Sequence, residues 1–400
     1  MTVASGKRAN LAAKTFSPGH PLEKIFAKIC LMNVLHLLDS LNRGGAEMLA
    51  LDVCRNAAEQ NLNLTLVATG GGDLEADFAS DAPNFVRLQR RLPLDPTVIW
   101  NLRRIIAKQK IQIIHAHQAV EGLHAYFAAL GTRARLVLSF HGYVADDKNR
   151  RALKFLIGRT AANIAVSGEF LGWLGEHEKF DVSRNFHVIY NGIDEKRLAP
   201  SGINLREKLD LPADAVVIGM IGNFYVAPRK DQLTLCRALP SVFAAAPNAY
   251  CLFVGAIEDG AETKFADCVR FCRDNEIFDR VRFLGKRADV PDILGALDIF
   301  VLSSLHESFG IAAVEAMLAS VPCVLSDLAP LREISRNGEF AQIFETQNVS
   351  MLAQKLLELT LNQSVQRDLA VKAKRYAADN FSIEAHLQKL RELYESLISK

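Results

Sequence analysis

Short apolar runs alternate with longer helical patterns along most of the chain, and this alternation limits the possible folds more than any other feature. Each run is four to six residues long, as expected for a strand that is buried on both faces. Eleven runs are predicted strands: 33–38, 64–68, 111–115, 135–139, 163–166, 187–190, 216–221, 249–254, 281–284, 299–302 and 322–325. Strands separated by helices predict βαβ units, parallel sheets and the α/β fold class.

Eleven strands and 400 residues are too many for one ordinary doubly wound domain, so two Rossmann-like lobes are predicted. The pattern is interrupted between Pro200 and Pro212, which places the boundary there. The predicted parts are an extra N-terminal segment, a first lobe, a second lobe and a C-terminal helix, at 1–31, 32–198, 199–380 and 381–400. Ligands of such sheets bind at the carboxyl ends of the strands, so the cleft between the lobes is the predicted site.

Composition narrows the functional classes. Lys and Arg (47) nearly balance Asp and Glu (45), which disfavours a nucleic-acid-binding chain. Seven cysteines form no CxxC pair, and we interpret them as buried thiols in a reducing cytoplasm. The longest apolar runs are too short to span a membrane. We therefore expect a cytoplasmic protein that holds no metal.

A peripheral contact with the inner face of the cell membrane is kept as an alternative to a freely diffusing protein. The predicted helix over 97–109 carries Trp100 beside Arg103 and Arg104, a combination that suits anionic lipid. A core-packing helix with a solvated basic side is the favoured interpretation, because its apolar residues are needed to cover the sheet. An amphipathic contact at 21–30 is a further alternative.

Gly44 and Gly45 lie between the first predicted strand and the following helix. Paired glycines let the backbone approach a ligand closely, and the free N–H groups of a helix start suit phosphate. A plain structural turn remains the alternative. The segment is not GxGxxG, and the glycines at 70–72 lack the lysine of a P-loop, so dinucleotide and P-loop sites are disfavoured.

Histidines follow two of the predicted strands. His115 and His117 come at the end of one strand and His141 at the end of the next. A histidine at the carboxyl end of a parallel strand can donate a hydrogen bond or move a proton near neutral pH. We interpret His117 and His141 as cleft residues and His115 as a structural histidine.

The second lobe begins with a strand that runs into the loop 222–231, which contains Asn223, Arg229 and Lys230. A cation held at a helix start can neutralise the negative charge that accumulates on a leaving group. Lys230 is the preferred candidate, since Arg229 can equally be a solvated side chain.

The segment from Glu307 to Glu315 gives the strongest signal, because it directly follows a predicted strand. If its helix begins near Phe309, the two carboxylates lie about 12 Å apart, since a helix rises about 1.5 Å per residue. They cannot share one proton as a catalytic pair. Two separate acceptors for ligand hydroxyls, with phosphates at the helix start between them, are predicted instead.

In this order, these segments resemble the retaining glycosyltransferases of family 4, which have the GT-B fold. The resemblance covers about residues 32 to 395 and rests on the segments 44–47, His117, 141–142, 191–194, 222–230, 281–285 and 307–315. It implies that the first lobe lies on the acceptor side and that the second lobe binds a nucleotide sugar. It also implies that the last helix crosses back to the first lobe.

The resemblance also assigns roles within the site. Four residues are implied in catalysis: His141, His117, Lys230 and Glu307. The implied donor-binding residues are Gly44, Gly45, Asn223, Arg229, Lys230, Glu307, Ser308, Phe309, Gly310, Ile311 and Glu315. Glu307 would bind hydroxyls of the donor sugar, Glu315 the ribose, and Lys230 the diphosphate. Asn223 stands where the family usually has Arg, and Arg229 is the cation that would replace it.

The implied activity is transfer of a sugar, with retention of anomeric configuration, from a UDP- or GDP-sugar to a glycan or lipid-linked acceptor in bacterial surface polysaccharide or glycolipid synthesis. No cofactor is expected, and no DxD pair follows a strand, so no metal is expected either. A non-hydrolysing UDP-sugar 2-epimerase of the same architecture is the alternative. A non-enzymatic two-lobed sugar-binding protein is the second alternative, although a secretion signal is not recognised.

Overall fold

The computed structural model describes residues 31–144 and 146–399. The predicted extra segment 1–31 therefore lies outside the described residues except for Leu31, and so does the membrane contact considered at 21–30. Thirteen strands form two fully parallel sheets, one in each lobe. Within the described residues, no helix is long and apolar enough to cross a membrane.

The first sheet has seven strands: β1 Met32–Leu38, β2 Leu62–Ala68, β3 Phe85–Arg87, β4 Ile113–Ala116, β5 Arg135–Phe140, β6 Ala162–Ala165 and β7 Phe186–Val188. Six helices cover it: α1 Gly45–Asn56, α2 Glu75–Asp81, α3 Pro96–Gln109, α4 Ala119–Ala129, α5 Asp147–Ile157 and α6 Gly168–Glu176. Its central strands are almost wholly buried, as predicted for a parallel sheet covered on both faces.

The second sheet has six strands: β8 Val216–Ile221, β9 Ala249–Val254, β10 Val281–Phe283, β11 Ile299–Leu302, β12 Cys323–Ser326 and β13 Gln342–Phe344. The remaining helices are α7 Leu205–Lys208, α8 Gln232–Ala245, α9 Glu262–Asp274, α10 Val290–Ala296, α11 Ile311–Leu318, α12 Ala329–Ile334, α13 Val349–Leu361, α14 Gln363–Phe381 and α15 Ile383–Ile398. Short 3-10 turns occur at Ala57–Gln60, Glu195–Leu198 and Phe278–Arg280.

The first six strands of each lobe follow the same order, and this repeated topology positions the site. The orders are β3-β2-β1-β4-β5-β6-β7 and β10-β9-β8-β11-β12-β13. The order reverses between β1 and β4 in the first sheet and between β8 and β11 in the second. Doubly wound sheets bind ligands in the crevice that this reversal opens at the carboxyl ends of the strands. The α/β fold with two Rossmann-like lobes is confirmed.

Polar side chains at the helix starts explain where several helices begin. Asp95 accepts a hydrogen bond from the backbone of Thr97 at the start of α3, and Ser167 accepts from Phe170 at the start of α6. Asp231 does the same for α8. Each side chain satisfies an N–H group that has no partner within the helix, and this contact fixes the end of the preceding loop.

The last helix, α15, packs on the first lobe although it follows the second lobe in sequence. Its buried residues Ile383, Leu387, Leu390 and Tyr394 belong to the same hydrophobic core as strands β1 and β2. The crossing is fixed where the backbone of Ile193 pairs with the segment at the start of α15. The first lobe is therefore completed by a helix that comes last in the chain.

Two details differ from the sequence-based expectations. Strands β3 and β13 were not predicted, because three residues at a sheet edge are too few to show a periodic pattern. Helix α11 begins at Ile311 and not near Phe309, because Gly310 precedes it in a left-handed conformation with φ of 100°. A side chain at Gly310 would be strained there and would also press against Leu331.

Candidate functional site

The two regions of reversed strand order face each other across the cleft. Gly45, at the start of α1, lies against the side chain of Ile311, at the start of α11. A Cβ atom on residue 45 would lie 2.6 Å from the Ile311 Cδ1 atom, so a larger residue at position 45 would require the Ile311 side chain to move. The paired glycines and the Glu307–Glu315 segment, which lie far apart in sequence, thus meet in one place.

Three hydrogen bonds tie the loop before α11 to the first lobe. The Tyr143 hydroxyl donates to the Glu307 carbonyl at 2.9 Å. The Ser308 hydroxyl donates to the His141 carbonyl at 2.7 Å, and the Ser167 hydroxyl donates to the Ser308 carbonyl at 2.8 Å. These contacts hold the predicted donor-binding segment directly against the loops that follow β5 and β6.

Lys230 and Glu307 form an ion pair at the carboxyl edge of the second sheet. Their side chains are only 14% and 12% exposed, and the Ser304 hydroxyl donates to the same Glu307 oxygen at 2.8 Å. Two of the four predicted catalytic residues therefore contact each other directly. In this pair the two charges compensate each other, so neither is left unpaired within the partly buried site.

Glu315 contacts a residue that sequence reasoning missed. Arg197 donates to Glu315 at 2.6 Å and to Asp52 of α1 at 2.7 Å. Arg197 lies in the 3-10 turn between the lobes and is 12% exposed. Burial raises the pKa of Asp52 to about 6, although Arg197 opposes that shift. One guanidinium thus joins the first lobe, the linker and α11.

The loop 222–231 is held by its own contacts. The Asn223 side-chain oxygen accepts from the Ala256 amide at 2.8 Å, which joins this loop to the loop after β9. Arg229 is exposed, and its guanidinium lies 5.1 Å from the centre of the Tyr225 ring. Of the predicted donor-binding cations, only Lys230 is in direct contact with Glu307.

Four histidines of the first lobe, His36, His115, His117 and His141, form what we call the histidine cluster. His117 Nδ1 lies 2.8 Å from His141 Nε2, and His117 Nε2 lies 3.0 Å from His36 Nδ1. His117 is 5% exposed, and both of its ring nitrogens are bonded within the protein. It was predicted to face the cleft, but the structure surrounds its ring with other histidines.

The rings of the histidine cluster are neutral. Burial lowers the pKa of His36 to about 3 and that of His141 to about 4. Burial also holds the pKa values of His115 and His117 well below their usual range. Neutral imidazoles can each donate one hydrogen bond and accept one, so this part of the site directs hydrogen bonds and carries no positive charge.

One part of the cluster has a geometry that could be tested for metal binding. Ring nitrogens of His36, His115 and His117 lie within 4.8 Å of one another, and no other such group occurs among residues 31–144 and 146–399. Both nitrogens of His115 are bonded already, to Tyr394 at 2.5 Å and to Ser139 at 2.6 Å. A metal ion would have to displace these hydrogen bonds.

Comparison with known proteins assigns both lobes to one class of enzyme. The family profile described as Glycosyltransferase Family 4 matches residues 43–197. The profile described as Glycosyl transferases group 1 matches residues 215–362. The chain is a glycosyltransferase of the GT-B fold. Each profile covers the loops that the structure brings together in its lobe.

Individual relatives of this glycosyltransferase act in bacteria. N-acetyl-alpha-D-glucosaminyl L-malate synthase of Bacillus anthracis is 24% identical over 315 residues, which are 76% of this chain and 80% of the relative. UDP-Gal:alpha-D-GlcNAc-diphosphoundecaprenol alpha-1,3-galactosyltransferase of Escherichia coli is 24% identical over 373 residues, 88% of this chain and 94% of the relative.

Solved structures agree in fold. The crystal structure of HepE from Anabaena in complex with UDP and glucose gives a TM-score of 0.79 at 21% identity, and covers 91% of this chain and 100% of its own. The glycosyltransferase WaaG, which is involved in lipopolysaccharide biosynthesis, gives a TM-score of 0.67 at 14% identity, and covers 90% of this chain and 99% of its own.

Proposed function

We propose that this glycosyltransferase moves a sugar from a UDP-sugar to a glycan or lipid-linked acceptor, in the synthesis of a bacterial polysaccharide or glycolipid, with retention of anomeric configuration. The observation that carries the proposal is the Lys230–Glu307 pair at the reversal of the second sheet, held against the first lobe by Tyr143 and Ser308. A uridine base is favoured because the Escherichia coli relative is named for UDP-Gal and the HepE structure holds UDP.

When the donor binds, the Lys230–Glu307 ion pair opens and each residue contacts a different part of the donor. Lys230 turns to the diphosphate, and Glu307 accepts from hydroxyls of the donor sugar. The amides of Phe309, Gly310 and Ile311 lie at the start of α11, where backbone N–H groups suit negative charge. Glu315 binds the ribose, with Arg197 holding its carboxylate in place.

Retention follows from front-face attack. The bond from the anomeric carbon to the diphosphate breaks, the bond to the acceptor oxygen forms on the same face, and the acceptor proton passes to the leaving phosphate. Glu307 is bonded to Lys230 and Ser304, so it serves as a sugar contact and not as a nucleophile. Proton NMR of the product tests this, because an inverted anomeric coupling would overturn it.

Lys230 and the start of α11 are proposed to carry out the charge neutralisation that a divalent metal supplies in other transferases. Transfer is therefore expected to persist in EDTA, with excess Mg²⁺ as the control. A loss of turnover that Mg²⁺ restores would show that the proposal of metal-free transfer is wrong.

The decisive experiment for the donor is a thermal-shift series with UDP-, GDP- and ADP-sugars. A donor at 100 times its dissociation constant adds about 2.7 kcal/mol to the free energy of unfolding. UDP-sugars are expected to raise the melting temperature, and no shift with any nucleotide sugar would overturn the proposal. NMR of the donor without acceptor distinguishes transfer from 2-epimerisation, since only an epimerase converts the donor alone.

A peripheral membrane contact at α3 is the second part of the proposal. Trp100 is 58% exposed and lies under the Arg104 guanidinium at 4.6 Å, and Leu92 and Leu94 are 55% and 40% exposed. Exposed apolar side chains beside arginines suit a surface of anionic lipid.

Flotation with vesicles tests this contact. The wild-type protein is expected to float with phosphatidylglycerol vesicles and not with phosphatidylcholine vesicles, and Trp100→Ser is expected to weaken flotation severalfold. Val371→Ser is the matched control, because Val371 is 68% exposed on α14 of the second lobe. Equal flotation of both variants would contradict a contact through α3.

A further inference from the structure

One carboxylate of the second lobe takes three hydrogen bonds from the first lobe. It belongs to Glu333, which lies on the short helix α12 and is half-buried. Its Oε1 atom accepts from the Gly168 amide at 2.8 Å and from the Tyr190 hydroxyl at 2.8 Å. Its Oε2 atom accepts from the Glu169 amide at 2.9 Å. Both oxygens of this carboxylate therefore contact the other lobe.

The first branch of these contacts completes the start of α6. The first amides of a helix have no partner within the helix, and a negative charge is favoured beside them. Glu333 accepts from the amides of Gly168 and Glu169, and the Ser167 hydroxyl accepts from the next amide at 3.1 Å. The single proton of that hydroxyl is donated to the Ser308 carbonyl, in the loop before α11, at 2.8 Å.

The second branch runs through Tyr190. Burial and the neighbouring Glu333 carboxylate raise the pKa of Tyr190, so its hydroxyl keeps the proton that it donates. The Tyr190 ring stacks on the ring of Phe309, with 6.0 Å between the ring centres and 29° between the planes. Phe309 is 1% exposed and directly follows Ser308 in the chain. The two branches from Glu333 therefore reach consecutive residues of the loop before α11.

Helix α12 also supports this loop from within the second lobe. A Cβ atom at Gly310 would lie 2.6 Å from Leu331 and 3.2 Å from Ile334, which lie on either side of Glu333 in α12. Packing this close leaves the loop little room to move relative to the helix. The same short helix thus packs against the loop and, through Glu333, holds the first lobe to it.

We propose that Glu333 is a positioning residue, which holds the start of α6 and Tyr190 in the first lobe against Ser308 and Phe309. Glu333 acts through these groups and not by touching the donor. Without its carboxylate, the first lobe loses a fixed position relative to the loop that is proposed to bind the donor. The role in turnover rests on the proposed glycosyl transfer, whereas the contact between the lobes is a property of the free enzyme.

Hydrogen–deuterium exchange of the full chain without ligand, followed by mass spectrometry, tests this contact. Glu333→Ala removes the three hydrogen bonds, so the amides of Gly168 and Glu169 are expected to exchange severalfold faster. The proposal also requires faster exchange in the peptide that contains Leu305, whose amide donates to the Arg229 carbonyl at 2.8 Å in the loop before α11. A role confined to the start of α6 would change the first two amides alone.

Tyr190→Phe tests the second branch separately. It removes one of the three hydrogen bonds and keeps the ring on Phe309, so a smaller increase in exchange of the Leu305 peptide is expected. Added to Glu333→Ala, it should have no further effect, because the acceptor of the hydroxyl is already gone. Glu339→Ala is the matched control for Glu333→Ala, since Glu339 is exposed and pairs with Arg336 in its own lobe.

Kinetics and UDP binding separate positioning from plain stability. Glu333→Ala is expected to lower kcat about tenfold, the size of one hydrogen bond, because the bonds made across the cleft by Tyr143 and Ser308 remain. The dissociation constant of UDP, measured by calorimetry, is expected to stay within twofold, since the residues proposed to bind UDP lie in the second lobe. A variant that was merely less stable would lose UDP binding and turnover together.

Two results would overturn the proposal: unchanged exchange of the Leu305 peptide in Glu333→Ala, or a kcat equal to that of Glu339→Ala. If Glu333→Ala does not fold, the same two measurements on Tyr190→Phe decide. A wild-type protein that transfers no sugar from any nucleotide donor would contradict the proposed function instead. In that case the exchange of the free enzyme still decides whether Glu333 holds the loop.

Discussion

The two halves of the site occupy equivalent positions in their lobes but use opposite chemistry. In the first lobe, the histidine cluster is neutral, and its members are bonded mainly to one another. At the edge of the second lobe, Lys230 pairs with Glu307 and Arg197 pairs with Glu315, and both pairs are charged and slightly exposed. The first half fixes the direction of hydrogen bonds, whereas the second presents charges that a ligand can take over.

The largest effect is expected from Arg197→Met, a substitution that breaks the ion pairs joining the two halves of the site. It leaves the Glu315 carboxylate without its cation and the fully buried Asp52 carboxylate with only the weaker contact to Arg55 at 3.9 Å. We expect the free energy of unfolding to fall by about 3 to 5 kcal/mol, the usual result of removing one partner from a buried pair. Urea denaturation at pH 7 measures it.

The control for Arg197→Met is Arg391→Met. Arg391 pairs with Glu395 on the surface of α15, where its side chain is 30% exposed. An exposed pair contributes about 1 kcal/mol or less. If both substitutions lower the free energy of unfolding by the same amount, the Arg197 contacts stabilise the fold no more than a surface ion pair does.

The next largest effect is expected from Glu307→Gln, which tests whether the second half serves turnover more than folding. The amide keeps the shape of the side chain but loses the charge that pairs with Lys230. A fall in kcat/KM of roughly 100- to 1,000-fold is expected, as for loss of one preorganised polar contact in a transition state. Donor turnover and circular dichroism measure the two effects separately.

Glu339→Gln is the matched control, because Glu339 pairs with Arg336 at an exposed site. It should retain wild-type turnover. Full activity of Glu307→Gln would show that Glu307 does not contact the donor. It would also show that the charge of Glu307 in the second half of the site is not needed for turnover.

The smallest predicted effect is a change in the pH dependence of stability. It tests whether a buried histidine beside the first half of the site is uncharged. Burial lowers the pKa of His386, which lies on α15 and lines a small cavity beside the histidine cluster, to about 4. An unfolded histidine has a pKa near 6.5, so between pH 6.5 and 4 the unfolded chain binds more protons than the folded one. Histidines of this kind therefore contribute stability that is present above pH 6.5 and is lost as the pH falls toward 4.

His386→Asn removes one such group and keeps a donor for the Tyr190 carbonyl, which His386 Nδ1 contacts at 2.6 Å. The loss of unfolding free energy on acidification should shrink by about 1.4 kcal/mol per pH unit in that window. Buried Asp52 and Glu121, with pKa values raised to about 6 and about 7, act in the opposite direction in both proteins and cancel in the difference. His177→Asn is the control for replacing a histidine at an exposed position, and equal slopes in the wild-type protein and His386→Asn would contradict a neutral His386.

The sequence was most informative where one local pattern decides the outcome. Strands β8, β9 and β11 lie at the predicted positions because each is a continuous apolar run with clear boundaries. The loops after β8 and β11 could be placed together because a parallel sheet brings the carboxyl ends of its strands to one edge. The direct contact of Lys230 with Glu307 was not predicted, although both residues were placed at that edge.

The partners across the lobes could not be predicted, because nothing in a local pattern specifies them. Arg197 lies in a linker that contains other charged residues, and only the folded chain shows that it meets Asp52 and Glu315. His36 did carry a signal, since a polar ring within a buried strand needs a hydrogen-bond partner. Its partner Tyr394 is 358 positions away in sequence.

The crossing of α15 also affects how the protein is made. A ribosome produces the strands of the first lobe early, but the side chains of Ile383, Leu387 and Leu390 that close one face of that lobe appear only after the entire second lobe. Domains normally fold one after another as they emerge during synthesis. Here the first lobe keeps apolar surface uncovered until α15 has been made, so it cannot be completed before the second lobe has been synthesised.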